Sequence, residues 1–168
     1  MSEDREPSLS ELIESLAALS GKFEGLLERA IAIGVAKIEC EDHLVIAALR
    51  RALDNVMGML AMADQKNPFC GLPILRFQMD TAMTLFGRTI VKNVDAYVTH
   101  MMEGKKRVDF QDRDGERMTD NYLHKKLTKK YDDASKQYAY ISGYVHFSEH
   151  HLFRVIDRDL WESKKELQ

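Results

Sequence analysis

Fourteen residues near the C-terminal end, Tyr138 to His151, hold three of the six histidines and three of the six tyrosines of the chain. Read as a helix, Tyr138, Ser142, His146 and His150 recur every fourth residue and share one face, because positions i and i+4 are neighbours on a helix surface. A phenol, a hydroxyl and two imidazoles in one stripe could orient a substrate or pass protons, imidazole being the group that titrates nearest neutrality. The same stripe also reads as a buried network in which each polar group satisfies another.

Three other constellations carry chemistry. Arg76, Asp80, Thr84 and Arg88 repeat at intervals of four among apolar residues, so an Arg76–Asp80 pair within one helix is expected, with Tyr138, Ser142 and His146 as partners across a bundle if the stripe is buried; if not, it is a solvent-facing stripe. His146 and His150 have the spacing that presents two imidazoles from one helix, and His43, after Glu41 and Asp42, could complete a three-nitrogen site for zinc or a similar cation. That set is similar to the DinB-type four-helix metalloprotein bundles, and the likeness is confined to those three residues. Lys125, Lys126, Lys129 and Lys130 lie between Tyr122 and Tyr131 and could meet phosphates, or they could be the wet face of an amphipathic helix, with Asp132 and Asp133 offsetting part of the charge. No Gly-x-Ser-x-Gly elbow and no glycine-rich phosphate loop occurs, which excludes the common serine-hydrolase, Rossmann and P-loop chemistries.

The segment Arg-Phe-Gln-Met-Asp (Arg76 to Asp80), paired with Tyr-x-x-x-Ser-Gly-Tyr-Val-His-Phe-Ser (Tyr138 to Ser148), resembles bacterial helical proteins of the HEPN-like type over roughly residues 44–150. The resemblance implies an all-α bundle that dimerises and works through protein or RNA contacts, in some members by cutting RNA without a metal, in toxin-antitoxin, stress or phage-defence systems. Active members carry an arginine followed after four to six residues by a histidine, and Arg117 with His124 fits that pattern. The family pattern has a polar residue directly after the arginine, where this chain has Met118. The resemblance therefore makes Arg117 and His124 the candidate catalytic pair, the four lysines the candidate RNA contacts, and a homodimer the expected assembly. No cofactor is expected.

The elements that must position these groups follow from patterning. The chain has 168 residues, 45% of them hydrophobic and 30% charged, enough for one domain with a core of its own. Its formal net charge of −3 gives no chain-wide basic footprint. Cys40 and Cys70 are the only cysteines and form no CxxC pair, which favours a reducing compartment, here the cytoplasm. The acidic start lacks the basic-then-apolar plan of a secretory signal, and no apolar run reaches the ~18 residues of a membrane span. Residues 1–7 read as a disordered lead and 8–168 as a single helical-bundle domain.

Ser8 and Glu11 fit a capping box, and apolar residues at helical spacing predict a first helix over 8–33. A second is expected over 41–65, closed by Pro68, Gly71 and Pro73. A third runs from Pro73 to Met102, ended by Gly104. Lys105 to Met118 carries nine charged residues and reads as a solvated loop turning at Asp114-Gly115. Thr119 is the expected N-cap of a fourth helix reaching about His146, and 152–160 is a further short helix or a tail. Alternating strand patterns are almost absent, so an all-α antiparallel bundle of four to five long helices is the predicted architecture.

Overall fold

The computed structural model describes residues 7–34, 39–131, 138, 141 and 142. Among these the protein is all-α, with five helices: α1 Leu9–Gly34, α2 Cys40–Asp64, α3 Pro68–Ile90, α4 Val94–Met102 and α5 Asp120–Thr128. Three are long and two have nine residues each. Among the described residues no helix is long and apolar enough to cross a membrane.

Each start is fixed locally. Ser8 and Glu11 exchange capping bonds at the head of α1, the Ser8 N–H donating to the Glu11 carboxylate at 2.7 Å. Glu39 and Asp42 do the same for α2. Asn67, Asn93 and Thr119 each accept a backbone N–H three residues on, opening α3, α4 and α5.

Both boundaries of the third helix differ from the sequence expectation. The third helix begins at Pro68 and not at Pro73, because Asn67 caps it and Pro68, in the first turn, has no N–H to leave unpaired. It also ends at Ile90, where one long helix to Met102 was expected. Asn93 starts a new helix there, and Arg113 closes the old one, donating from Nη2 to the Thr89 carbonyl at 2.5 Å and from Nε to the Ile90 carbonyl at 3.0 Å.

α1 and α2 run antiparallel: Leu9 lies beside Met59 and Met62, whereas Ile33 lies beside Val45 and Ile46 at the other end. α2 and α3 are antiparallel as well, with Asn55 donating to Gln78 at 2.9 Å and Gly58 against Ile74. The main core cluster is Met83, Val91, Tyr97, Met118, Leu123 and Leu127, drawn from α3, α4, α5 and the segment joining them. α2 adds Ala48, Ala52, Leu53 and Val56. Among its described side chains α1 buries none fully, and it rests mainly on α2.

The stretch expected to be a solvated loop is an ordered connection. It holds a 3₁₀ turn at Arg107–Asp109, an antiparallel bridge between Gln111 and Arg117, and Gly115 at φ 84° in the turn. Asp112 and Met118 are buried, and Arg107 nearly so. Charge density marked this stretch as wet, but three of its side chains are turned inward by partners that only the tertiary fold supplies. The helix predicted from Thr119 to about His146 ends at Thr128, and Tyr138, Ile141 and Ser142 are helical again.

Candidate functional site

A polar cleft of roughly 590 Å³ opens between α2, α3 and the start of α5, lined by Arg51, Arg76, Phe77, Asp80, Asp120, Tyr138 and Ser142. Helical spacing puts Arg76 and Asp80 on one face of α3, and the N-cap Thr119 sets Asp120 at the first position of α5. The expected Arg76–Asp80 pair within α3 does not form, because each side chain finds a better-placed partner on another element.

Arg76 Nη2 donates to Asp120 at 2.5 Å and to the Tyr138 hydroxyl at 3.1 Å, and its guanidinium lies 4.8 Å from the Tyr138 ring centroid. Asp80 is bridged by Arg51 and Arg107, both at 3.0 Å. Arg107 ties the set together: Nη2 reaches Asp120 at 2.6 Å, while Nη1 donates to Thr84 Oγ1 at 2.5 Å and to the Asp80 carbonyl at 3.2 Å. Its buried Nε has no hydrogen-bond partner among the described residues. The chain Arg51–Asp80–Arg107–Asp120–Arg76–Tyr138 thus alternates in sign and leaves one positive charge in excess, three guanidiniums against two carboxylates.

Tyr138 completes the wall. Its ring stacks on His124 of α5 at a centroid separation of 4.1 Å and 25° between planes. Burial pushes its phenol up, the Arg76 cation pulls it down and the Asp120 anion raises it, with a net upward shift. Ser142 donates to the Tyr138 carbonyl at 2.7 Å, a bond within the local helical turn. Of the sequence-selected network, Arg76, Asp80, Tyr138 and Ser142 therefore share one cleft, whereas His146 lies outside the described residues. Arg88, the last member of the α3 stripe, turns to Glu41 of α2.

The candidate catalytic pair is placed as follows. Arg117 is exposed on the connection before α5, donating from Nη2 to Asp109 at 2.9 Å and from Nε to the Val108 carbonyl at 3.2 Å. His124 is half-buried against Tyr138. The apolar Met118 that follows Arg117 fills the core beside Gly87, which accounts for an apolar residue at that point.

The four lysines divide. Lys125, Lys129 and Lys130 are exposed, with Lys130 over the Tyr131 ring at 5.6 Å. Lys126 turns back, 3.9 Å from Asp112 and 3.7 Å from Asp114, and its hydrogen bond with Tyr122 followed by those anions raises its pKa. Asp112 is the anchor of this second cluster. It accepts the Tyr122 hydroxyl at 2.5 Å and the N–H groups of Asp114 and Glu116 at 2.9 and 3.0 Å. Burial alone would raise its carboxyl, but these donors and Lys126 outweigh it and hold the group below the usual carboxylate range.

His43, the third member of the proposed metal set, is exposed near the start of α2, and its companions His146 and His150 lie outside the described residues. Among the described residues no group of three or more histidine, cysteine or acidic side chains is placed to hold a metal ion.

Sequence reasoning missed Arg51, Arg107 and Asp120 as members of the cleft, and Asp112 as a buried anion. Arg107 and Asp112 sat inside a charge run that patterning reads as solvent-facing. The one signal that could have separated them was Asp112 two residues ahead of Asp114-Gly115, since an aspartate in that position can accept the turn's own N–H groups. No family model, curated protein or solved structure matches the chain.

Proposed function

We propose that this protein is an RNA-binding helical bundle that seats a single-stranded segment in the Arg51–Arg76–Tyr138 cleft and along the exposed lysines of α5. The observation that carries this reading is the cleft itself. An open polar cavity sets guanidiniums of the kind that grip phosphate beside two aromatic faces, Phe77, which is 45% exposed, and Tyr138. Asp80 and Asp120 hold the arginines in position, and Asp120 is itself 47% exposed, so a phosphate could take its place on Arg76 without opening the core. Lys125 on α5 and Lys129 just past its end are exposed on the side of the helix opposite Asp120, where they offer further phosphate contacts to a strand that leaves the cleft and passes around α5. The HEPN-like resemblance supports RNA as the polymer, and a role in stress or phage defence accords with it.

Endonuclease activity through Arg117 and His124 is the second reading, and the observation favouring it is that His124 forms the back of the Tyr138 wall. The bound state of Arg117, held by Asp109 and Val108, favours binding without cleavage. Incubation of purified protein with total RNA separates the two. Retention without fragmentation supports the binding reading. Fragmentation that disappears in both Arg117→Ala and His124→Ala establishes the nuclease reading in its place, and fragmentation unchanged in both marks a contaminant.

A further inference from the structure

α1 exposes a second apolar stripe that its own partner helix does not use. Leu12, Leu19, Leu26 and Ile33 recur at intervals of seven and are 50%, 39%, 40% and 74% exposed, and Leu9 extends the line at 73%. Leu16, Phe23 and Ala30, half-buried on the side toward α2, fall between them at steps of four and three. Together they form an unbroken heptad over 25 residues of one helix, with Leu9, Leu16, Phe23 and Ala30 at one core position and Leu12, Leu19, Leu26 and Ile33 at the other. A sustained seven-residue repeat is the pattern of a helix that packs against another helix of the same repeat. No other helix of this chain lies on that side among the described residues.

We propose that the occupant is a second copy of this chain, its α1 lying antiparallel on the first. Three observations select this arrangement. First, the two ends of the seam are complementary. At the Leu9 end lies an apolar groove of roughly 480 Å³, walled by Met59, Met62, Leu72 and Leu75, and at the other end Ile31 and Ile33 project unburied. An antiparallel pair places the Ile33 end of each copy over the groove of the other, and the twofold axis repeats the contact.

Second, the flank away from α2 carries Glu11 in its first half and Lys22 and Arg29 in its second. With Leu12 packed on Ala30 of the partner, Glu11 and the partner's Arg29 border the same layer, and Lys22 lies beside the twofold axis, next to its own copy. A parallel pair would instead put Glu11 beside Glu11 and Arg29 beside Arg29. Third, the side toward α2 and the exposed seam lie about a quarter-turn apart on α1, as two neighbours do around a helix of a four-helix bundle, so the partner need not displace α2.

The full-length chain tests this by light scattering coupled to size-exclusion chromatography, with circular dichroism as the folding control. The parent is expected at about twice 19.3 kDa. The Leu19→Glu/Leu26→Glu variant is expected at the monomer mass with the helical spectrum retained, since both leucines face outward in the single chain. Orientation is read in a Cys40→Ser/Cys70→Ser background. Leu12→Cys with Ala30→Cys should cross-link under mild oxidation, and Leu12→Cys alone should not, its two copies being roughly 27 Å apart along the helix. A dimer unaffected by the two glutamates overturns the proposal, as does cross-linking by Leu12→Cys alone. A monomeric parent also overturns it, whatever the two glutamates do to its thermal stability.

Discussion

Arg107 and Asp120 meet at 2.6 Å across the connection between α4 and α5, and the same guanidinium holds Asp80 on α3. Three separate stretches of chain are therefore fastened by one side chain. Because Arg107 is only 11% exposed, its removal leaves two carboxylates facing each other with their best donor gone. Arg107→Ala is expected to lower stability by about 1–3 kcal/mol in urea unfolding, and Arg107→Lys to recover less than half of that. An ammonium cannot reach Thr84 and Asp120 from two fixed edges as the planar fork does.

The buried Asp112 predicts a pH dependence with a definite sign. Its carboxyl titrates lower in the fold than in the unfolded chain, so its contribution is present above the ordinary carboxylate range and fades as pH falls through the lowered folded value. Asp112→Asn should cost about 1–3 kcal/mol at pH 7, and the gap between variant and parent should narrow steadily below about pH 4. Paired unfolding curves across that range check it.

Tyr97 gives the opposite sign. Fully buried, with its hydroxyl donating to the Thr84 carbonyl at 3.1 Å, it has a phenol pushed up to about 12, first by burial, with Arg107 opposing and Asp80 assisting. The neutral form is favoured in the fold, so its contribution is complete below the ordinary phenol value near 10 and is lost as pH rises from there toward 12. Tyr97→Phe should flatten that alkaline loss, measured as thermal midpoints between pH 8 and 11.

Two glycines in helices should answer alanine in opposite ways. A Cβ at Gly87 would stand 2.7 Å from the Tyr97 hydroxyl oxygen and 2.5 Å from the end of Met118, whereas a Cβ at Gly21 meets nothing within 4 Å. Gly21→Ala is expected to stabilise by about 0.5–1 kcal/mol through helix propensity, and Gly87→Ala to destabilise despite the same propensity gain. Thermal melts of the two variants decide it.

Much of the fold was legible because its cues are local. Ser8 with Glu11 and Thr119 with Tyr122 cap where the sequence places them, and α1 and α2 begin and end within a residue or so of the boundaries that apolar spacing predicts. The break at Val91–Asn93 was hidden because its C-terminal seal comes from Arg113, more than twenty residues away. The cleft was half legible. The fourfold spacing of Arg76 and Asp80 and of Tyr138 and Ser142 brought forward four residues that line the cleft, but their partners, Asp120, Arg107 and Arg51, lie across helices at separations no periodicity encodes.

The most direct test of the RNA-binding reading is fluorescence anisotropy of an end-labelled single-stranded RNA of about 20 nucleotides, titrated with the parent, with Arg51→Ala/Arg76→Ala and with Lys125→Ala/Lys129→Ala over a salt series. The cleft variant should lose at least about tenfold in affinity, the lysine variant should lose less, and each should flatten the salt dependence by roughly one unit of slope per phosphate contact removed. Parent protein that fails to bind, or a cleft variant that binds as tightly as the parent with the same salt slope, would contradict it.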